Sequence, residues 1–193
     1  MTKVLETLRD GGVILYPTDT IWGIGCDATN PDAVARIYEI KKRSDSKSLV
    51  LLASDLDMVA RYIDTIPEMA IDLVEVNDAP MTIIYPGARA AAKGTADRRL
   101  LAWNTVAEDG SVGIRIPASG FCKELCMKLG RPIVSTSANI SGEPSPASFK
   151  DIPEAIKAAV DCIADPSLES NPTGKASQII KLGLDGEVKI IRM

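Results

Sequence analysis

The chain has 193 residues, of which 46% are hydrophobic and 25% charged, and a net charge of −4. That length supports one sizeable core, and no run of about 20 apolar residues is present to cross a membrane. Histidine is absent, which excludes a Ser-His-Asp triad, histidine metal ligands and histidine as a general base. The acidic balance argues against a generic nucleic-acid coat, and 4% aromatic residues offer few platforms for stacking bases.

Residues 2–9 read as a short amphipathic helix, with Thr2 as its cap and Gly11-Gly12 as its stop. This start lacks the apolar core of a signal peptide. Val13–Thr18 reads as a strand ending in a turn that carries Thr18, Asp19 and Thr20, then Gly23 and Gly25. Glycine there permits close backbone approach, so the stretch is either a polar turn shaped by glycines or the rim of a site. "PDAVARIYEIKK" places Pro31 at the first helical position and Val34, Ile37 and Tyr38 on one face. Lys41, Lys42, Arg43 and Lys47 follow at its end. They form either a solvated basic edge favoured by the helix dipole or an anion site.

Ser48–Ala53 is expected to be a buried strand, followed by short helices from about Asp55 and Pro67 and by strands at Pro80–Tyr85 and Ser111–Pro117. Alternation in the last of these puts Ser111, Gly113 and Arg115 on one face. Arg115 there either points to solvent or presents a planar fork for a carboxylate or phosphate. "FCKELCMKLG" is a helix ended by Gly130. The four cysteines, Cys26, Cys122, Cys126 and Cys162, have no zinc spacing and read as reduced, buried residues of a cytoplasmic protein.

"PIVSTSANISGEPSP" begins as a buried strand and then turns to Ser135, Thr136, Ser137 and Asn139. Buried hydroxyls and amides need partners, each unpaired one costing about 1–3 kcal/mol. Strand ends rich in donors and acceptors are where open α/β sheets hold ligands, so this stretch points to an oxygen-rich ligand. A helix near Pro153–Val160 and strands near Cys162–Ala164, Ala176–Leu182 and Glu187–Arg192 complete the chain, with Asp185-Gly186 as a hairpin turn. The hairpin makes the sheet mixed. With no long linker, residues 1–193 read as a single α/β domain.

Six segments, "YPTDTIWGIG", "IYEIKKRSDSKSLVLLA", "PMTII", "SVGIRIP", "STSANISGEPSP" and "ASQII", occur in the order and approximate spacing of the YrdC/TsaC family, which the chain resembles from about Gly12 to Arg192. The resemblance implies a YrdC-like twisted mixed sheet flanked by helices, with a deep basic cavity. It also implies a nucleotidyltransferase that makes threonylcarbamoyl-AMP and pyrophosphate from L-threonine, bicarbonate or CO2, and ATP, with Mg2+ carried by the ATP and no metal site of its own. The product serves threonylcarbamoyl-transfer proteins acting on adenosine 37 of tRNA, which brings tRNA or double-stranded RNA in as a partner and leaves the membrane out. Carried over by position, Thr18, Thr20, Arg115, Ser137 and Ser177 bind L-threonine. Lys41, Arg43, Lys47, Ser111, Ser135, Asn139 and Arg192 bind ATP.

No covalent nucleophile is expected in such chemistry, because a carbamate is already anionic and needs positioning and electrostatic stabilisation. The chain departs from the family pattern at Ser44 and Ser48, where proline is common, at Leu52, near which many relatives carry histidine, and at Gln178, where threonine is common. The competing expectation is a double-stranded RNA-binding module without catalysis, since a basic surface serves either role. The net charge and the hydroxyls clustered beside the basic residues favour the enzyme.

Overall fold

The computed structural model describes residues 1–43, 49–118, 120–169 and 171–193. Its helices are α1 (Thr2–Arg9), α2 (Pro31–Lys41), α3 (Leu56–Tyr62), α4 (Glu68–Val76), α5 (Phe121–Leu129) and α6 (Glu154–Ala159). Its strands are β1 (Ile14–Tyr16), β2 (Gly23–Gly25), β3 (Val50–Leu52), β4 (Met81–Tyr85), β5 (Val112–Arg115), β6 (Ile133–Ser137), β7 (Cys162–Ile163), β8 (Gln178–Leu182) and β9 (Val188–Arg192). They form one sheet in the order β7-β1-β2-β6-β3-β5-β4-β8-β9. The pairs β1/β7, β3/β5 and β4/β8 are parallel, and the neighbours between them are antiparallel, so the sheet is mixed as expected.

Local chemistry explains most boundaries. Asn30 caps α2 by accepting from the Asp32 and Ala33 amides at 3.1 Å, with Pro31 in the first turn, where its missing N–H costs nothing. Asp55 caps α3 through the Met58 amide, and Gly130 ends α5 in the left-handed region at φ 73°. In α1, Val4 and Leu8 face the core. Thr2 lies inside that helix and Met1 occupies the cap position without a side-chain bond, so the expected threonine cap does not form. A core of aliphatic side chains from the sheet and helices surrounds the fully buried Tyr16, Tyr85 and Trp22. All four cysteines are free and buried, and burial pushes the Cys122 thiol up to about 12. No described helix is long and apolar enough to cross a membrane.

Two differences from the expected elements shape the site. The strand expected at Val13–Thr18 stops at Tyr16, which releases Thr18 to Thr20 as a loop. The glycines after it then form β2, pinned between β1 and β6. A Cβ on Gly25 would lie 2.4 Å from the Val134 carbonyl oxygen and 2.6 Å from the Tyr16 ring, so only glycine allows this approach. Gly25→Ala is therefore expected to destabilise the chain by about 1–3 kcal/mol through overpacking, lowering the thermal midpoint by roughly 3–10 °C. Circular dichroism melting checks this; an unchanged midpoint would mean that β2 can move away from its neighbours freely.

Candidate functional site

β1 ends at Tyr16, β6 continues through Ser135, Thr136 and Ser137, and β4 and β5 lie beyond β3. Between these strands and the C-terminal hairpin of β8 and β9 opens a cavity of about 430 Å³. Side chains alternate along each strand, so β4 and β5 offer Thr82, Ile84, Gly113 and Arg115 to this cavity. Hydroxyls come from Thr18, Thr20, Thr82, Ser135, Thr136, Ser137, Ser145 and Ser177. Among the described residues lining it, the charged ones are Arg43, Arg115 and Arg192.

The hydroxyls are arranged by each other and by the backbone. Thr18 Oγ1 lies 2.9 Å from Thr20 Oγ1, donates to the Ile21 carbonyl and accepts from the Thr20 and Ile21 amides. Ser177 Oγ lies 2.7 Å from Thr82 Oγ1, a contact across 95 residues of sequence. Arg192 donates from Nε and Nη2 to the Ser177 carbonyl at 2.9 and 2.6 Å, which ties β9 to the start of β8. Arg115 is buried and forms an ion pair with Asp19; its Nη2 also lies 3.4 Å from Thr20 Oγ1.

Three expected site residues stand apart from the lining. Lys41 is 2% exposed and sits beneath the Ser137–Asn139 turn. Its Nζ donates to the Ser137 carbonyl at 2.5 Å, the Asn139 carbonyl at 2.9 Å and Asn139 Oδ1 at 3.0 Å. Burial, and then the nearby Arg43 charge, lower its pKa to about 8. Asn139 Oδ1 also accepts from Ser137 Oγ at 2.5 Å, and its Nδ2 donates to the Glu143 carbonyl at 2.6 Å. Asn139 thus braces the turn from inside. Ser111 precedes β5 and donates to Asp109 Oδ1 at 2.6 Å. It lines a neighbouring depression shared with Asp109, Lys181 and Lys189, and Ile84 and Ile191 belong to both spaces. Lys181, followed by Ser111, holds the Asp109 carboxyl down at about 2. Lys47 lies outside the described residues, as do Ser44 and Ser48.

Sequence reasoning assigned no role to Thr82, Thr136 or Ser145, which line the cavity, or to Asp19. Alternation from Ile84 was a usable signal for Thr82, and a hydroxyl inside "STS" for Thr136. Among the described residues, no group of three or more His, Cys, Asp or Glu side chains is placed to hold a metal ion.

Fold and cavity together define an α/β protein whose strand ends carry a cavity lined by arginines and hydroxyls, a lining suited to a small anionic, oxygen-rich ligand. The sequence profile named Sua5_yciO_yrdC, described as "Telomere recombination", matches residues 6–193. The chain belongs to this family. It is 38% identical over 168 residues to the threonylcarbamoyl-AMP synthase of Xanthomonas campestris pv. campestris (strain B100), covering 86% of this chain and 84% of that one. Its fold is similar to that of P. abyssi Sua5 complexed with L-threonine (TM-score 0.77, 28% identity, 93% of this chain and 50% of that chain). It is also similar to E. coli YciO (TM-score 0.75, 27% identity, 98% and 86%). The chain therefore spans about half the length of the Sua5 structure and most of the length of the other two proteins.

Proposed function

We propose that residues 1–193 work as one domain, a threonylcarbamoyl-AMP synthase that joins L-threonine, bicarbonate or CO2, and ATP. The observation that carries this reading is the cavity itself, in which three arginines and a shell of hydroxyls meet in a family whose curated relatives bear that name. The threonine-bound Sua5 structure supports L-threonine as one occupant.

In this reading the deep basic cavity is divided between the substrates. Thr18, Thr20, Ser137 and Ser177 surround L-threonine, and Arg115 takes its carboxylate. Arg43, Ser135 and Arg192 face the nucleotide, and Lys47 is assigned to ATP with them. Lys41 and Asn139 serve the nucleotide from beneath the turn that they hold. Ser111 meets the nucleotide in the depression beyond Ile84 and Ile191. ATP would enter with Mg2+ already bound, and the ion would offset part of the nucleotide's charge.

The ammonium of threonine gives up one proton to become an amine and a second as it adds CO2, both to solvent, forming an N–C bond and a carbamate anion. A carbamate oxygen then attacks the α-phosphorus, and the bond to the bridging oxygen breaks to release pyrophosphate. The chain's part is to hold two anions close together and to stabilise charge moving onto the leaving group, which cations and preorganised donors achieve. We place the reaction in the cytoplasm, ahead of proteins that pass the threonylcarbamoyl group to tRNA, with a tRNA contact as part of the same proposal.

The test is pyrophosphate release with ATP, Mg2+ and bicarbonate in the presence of L-threonine, L-serine or no amino acid. Release is expected to require both L-threonine and bicarbonate. L-serine is expected to have a kcat/KM roughly 10–200-fold lower, since one methyl group in an apolar part of a pocket is worth about 1–3 kcal/mol. Equal release without an amino acid would refute the synthase reading.

A further inference from the structure

Arg115 carries a buried charge, being 4% exposed, and among the described residues its ion pair is with Asp19. The two side chains face different spaces. Arg115 lines the substrate cavity, whereas Asp19 lines a second cavity of about 460 Å³ walled by Met81, Ile83, Tyr85 and Ile114. Those residues alternate with Thr82, Ile84, Gly113 and Arg115 along β4 and β5, so the two cavities lie on opposite faces of the sheet. Asp19 reaches Arg115 from outside the substrate cavity.

The Asp19 loop is itself held in place. The Asp19 carbonyl accepts from the Thr173 amide at 3.1 Å, and the Thr20 carbonyl from the Gly174 amide at 3.0 Å. Thr18 Oγ1 gathers the Thr20 and Ile21 amides on the other side. A guanidinium is a rigid planar fork with five N–H donors. Fixing Nη1 against a carboxylate and Nη2 beside Thr20 Oγ1 therefore fixes where the rest of the fork points. A buried guanidinium without a carboxylate is also strongly unfavourable, and Asp19 supplies that partner before any substrate anion arrives.

We infer that Asp19 is a positioning residue for this site: it holds Arg115 from behind, so that the guanidinium meets the carboxylate of L-threonine already aimed. This inference rests on the assignment of Arg115 to that carboxylate. It gives Asp19 a role through Arg115 alone, with no contact to either substrate.

The experiment is steady-state kinetics, varying L-threonine and ATP in turn, on the parent chain, Asp19→Ala, Arg115→Ala and the double variant. Asp19→Ala is expected to raise the L-threonine KM about tenfold, the effect of about one lost charge-assisted bond, and to leave the ATP KM within about twofold. Asp19→Asn keeps an acceptor oxygen and is expected to recover most of that loss. In the Arg115→Ala background the Asp19 substitution is expected to add less than about twofold, because coupled residues do not act independently. The inference is overturned if Asp19→Ala leaves the L-threonine KM unchanged, raises both KM values together, or multiplies with Arg115→Ala. If Asp19→Ala does not fold, Asp19→Asn is compared in both backgrounds, with a rise of about threefold expected only when Arg115 is present; any other pattern overturns the inference. An unchanged L-threonine KM in Arg115→Ala would overturn the carboxylate assignment itself, an outcome distinct from the others.

Discussion

Arg115→Lys is expected to raise the L-threonine KM by roughly one to two decades while moving the ATP KM by less than about threefold. The charge is retained, so the loss comes from geometry. A guanidinium offers parallel N–H bonds to both carboxylate oxygens, whereas an ammonium is a point charge that satisfies them one at a time. In this site the demand is greater, because the same group must also engage Asp19 and lie beside Thr20. A lysine at this position cannot face both carboxylates with a fixed plane. A buried polar partner left short of a bond costs about 1–3 kcal/mol, which gives the stated range. Separate saturation curves for the two substrates decide the matter. A loss shared equally by ATP would make Arg115 a phosphate ligand and would overturn the proposed division of the cavity.

Much of this site was legible because its residues lie on short segments whose character is local. The Pro31 start of α2, the Gly130 stop of α5 and the Asp185-Gly186 hairpin follow from helix-end and turn chemistry that neighbouring residues alone determine. Arg115 and Gly113 share a face by simple alternation, and both line the cavity. Ser111 was expected to continue that face, but β5 begins only at Val112, and a nearer carboxylate at Asp109 takes its hydroxyl. β2 was missed because glycine is a poor strand former by propensity; the strand exists because β1 and β6 press on it from both sides. The Thr82–Ser177 and Arg115–Asp19 contacts span more than 90 residues, and no local rule carries information over that distance. Lys41 is the instructive case. Val34, Ile37, Tyr38 and Lys41 lie at helical spacing on one face, and all four are buried. The pattern that marked the apolar stripe thus also marked the lysine, although the family resemblance assigned it to ATP as a cation lining the site.

Lys41→Met is expected to lower kcat/KM by about two decades, with the L-threonine and ATP KM values rising together and the fold retained. Three acceptors on Ser137 and Asn139 lose a donor; the Ser137 carbonyl keeps the Asn139 amide and Asn139 Oδ1 keeps Ser137 Oγ, whereas the Asn139 carbonyl is left short of its bond at about 1–3 kcal/mol. Against this, the variant no longer buries an ammonium, a desolvation cost that an isosteric apolar side chain escapes. The two terms offset each other in stability but not in function, because the Ser137 and Asn139 turn is what the lysine holds in place. The pH dependence separates these effects. With a folded-state pKa of about 8 against an unfolded value near 10.4, the unfolded chain holds more protons between these limits. Stability from this group therefore rises with pH across that window and is constant below it. Deprotonation removes one of the three donors, so its contribution to activity falls across the same window. The thermal midpoint of the parent, measured relative to Lys41→Met, is expected to increase from pH 7 to pH 9.5, while the kinetic advantage of the parent shrinks. A rise confined to the ATP KM would instead make Lys41 a direct phosphate ligand, with the turn standing without it.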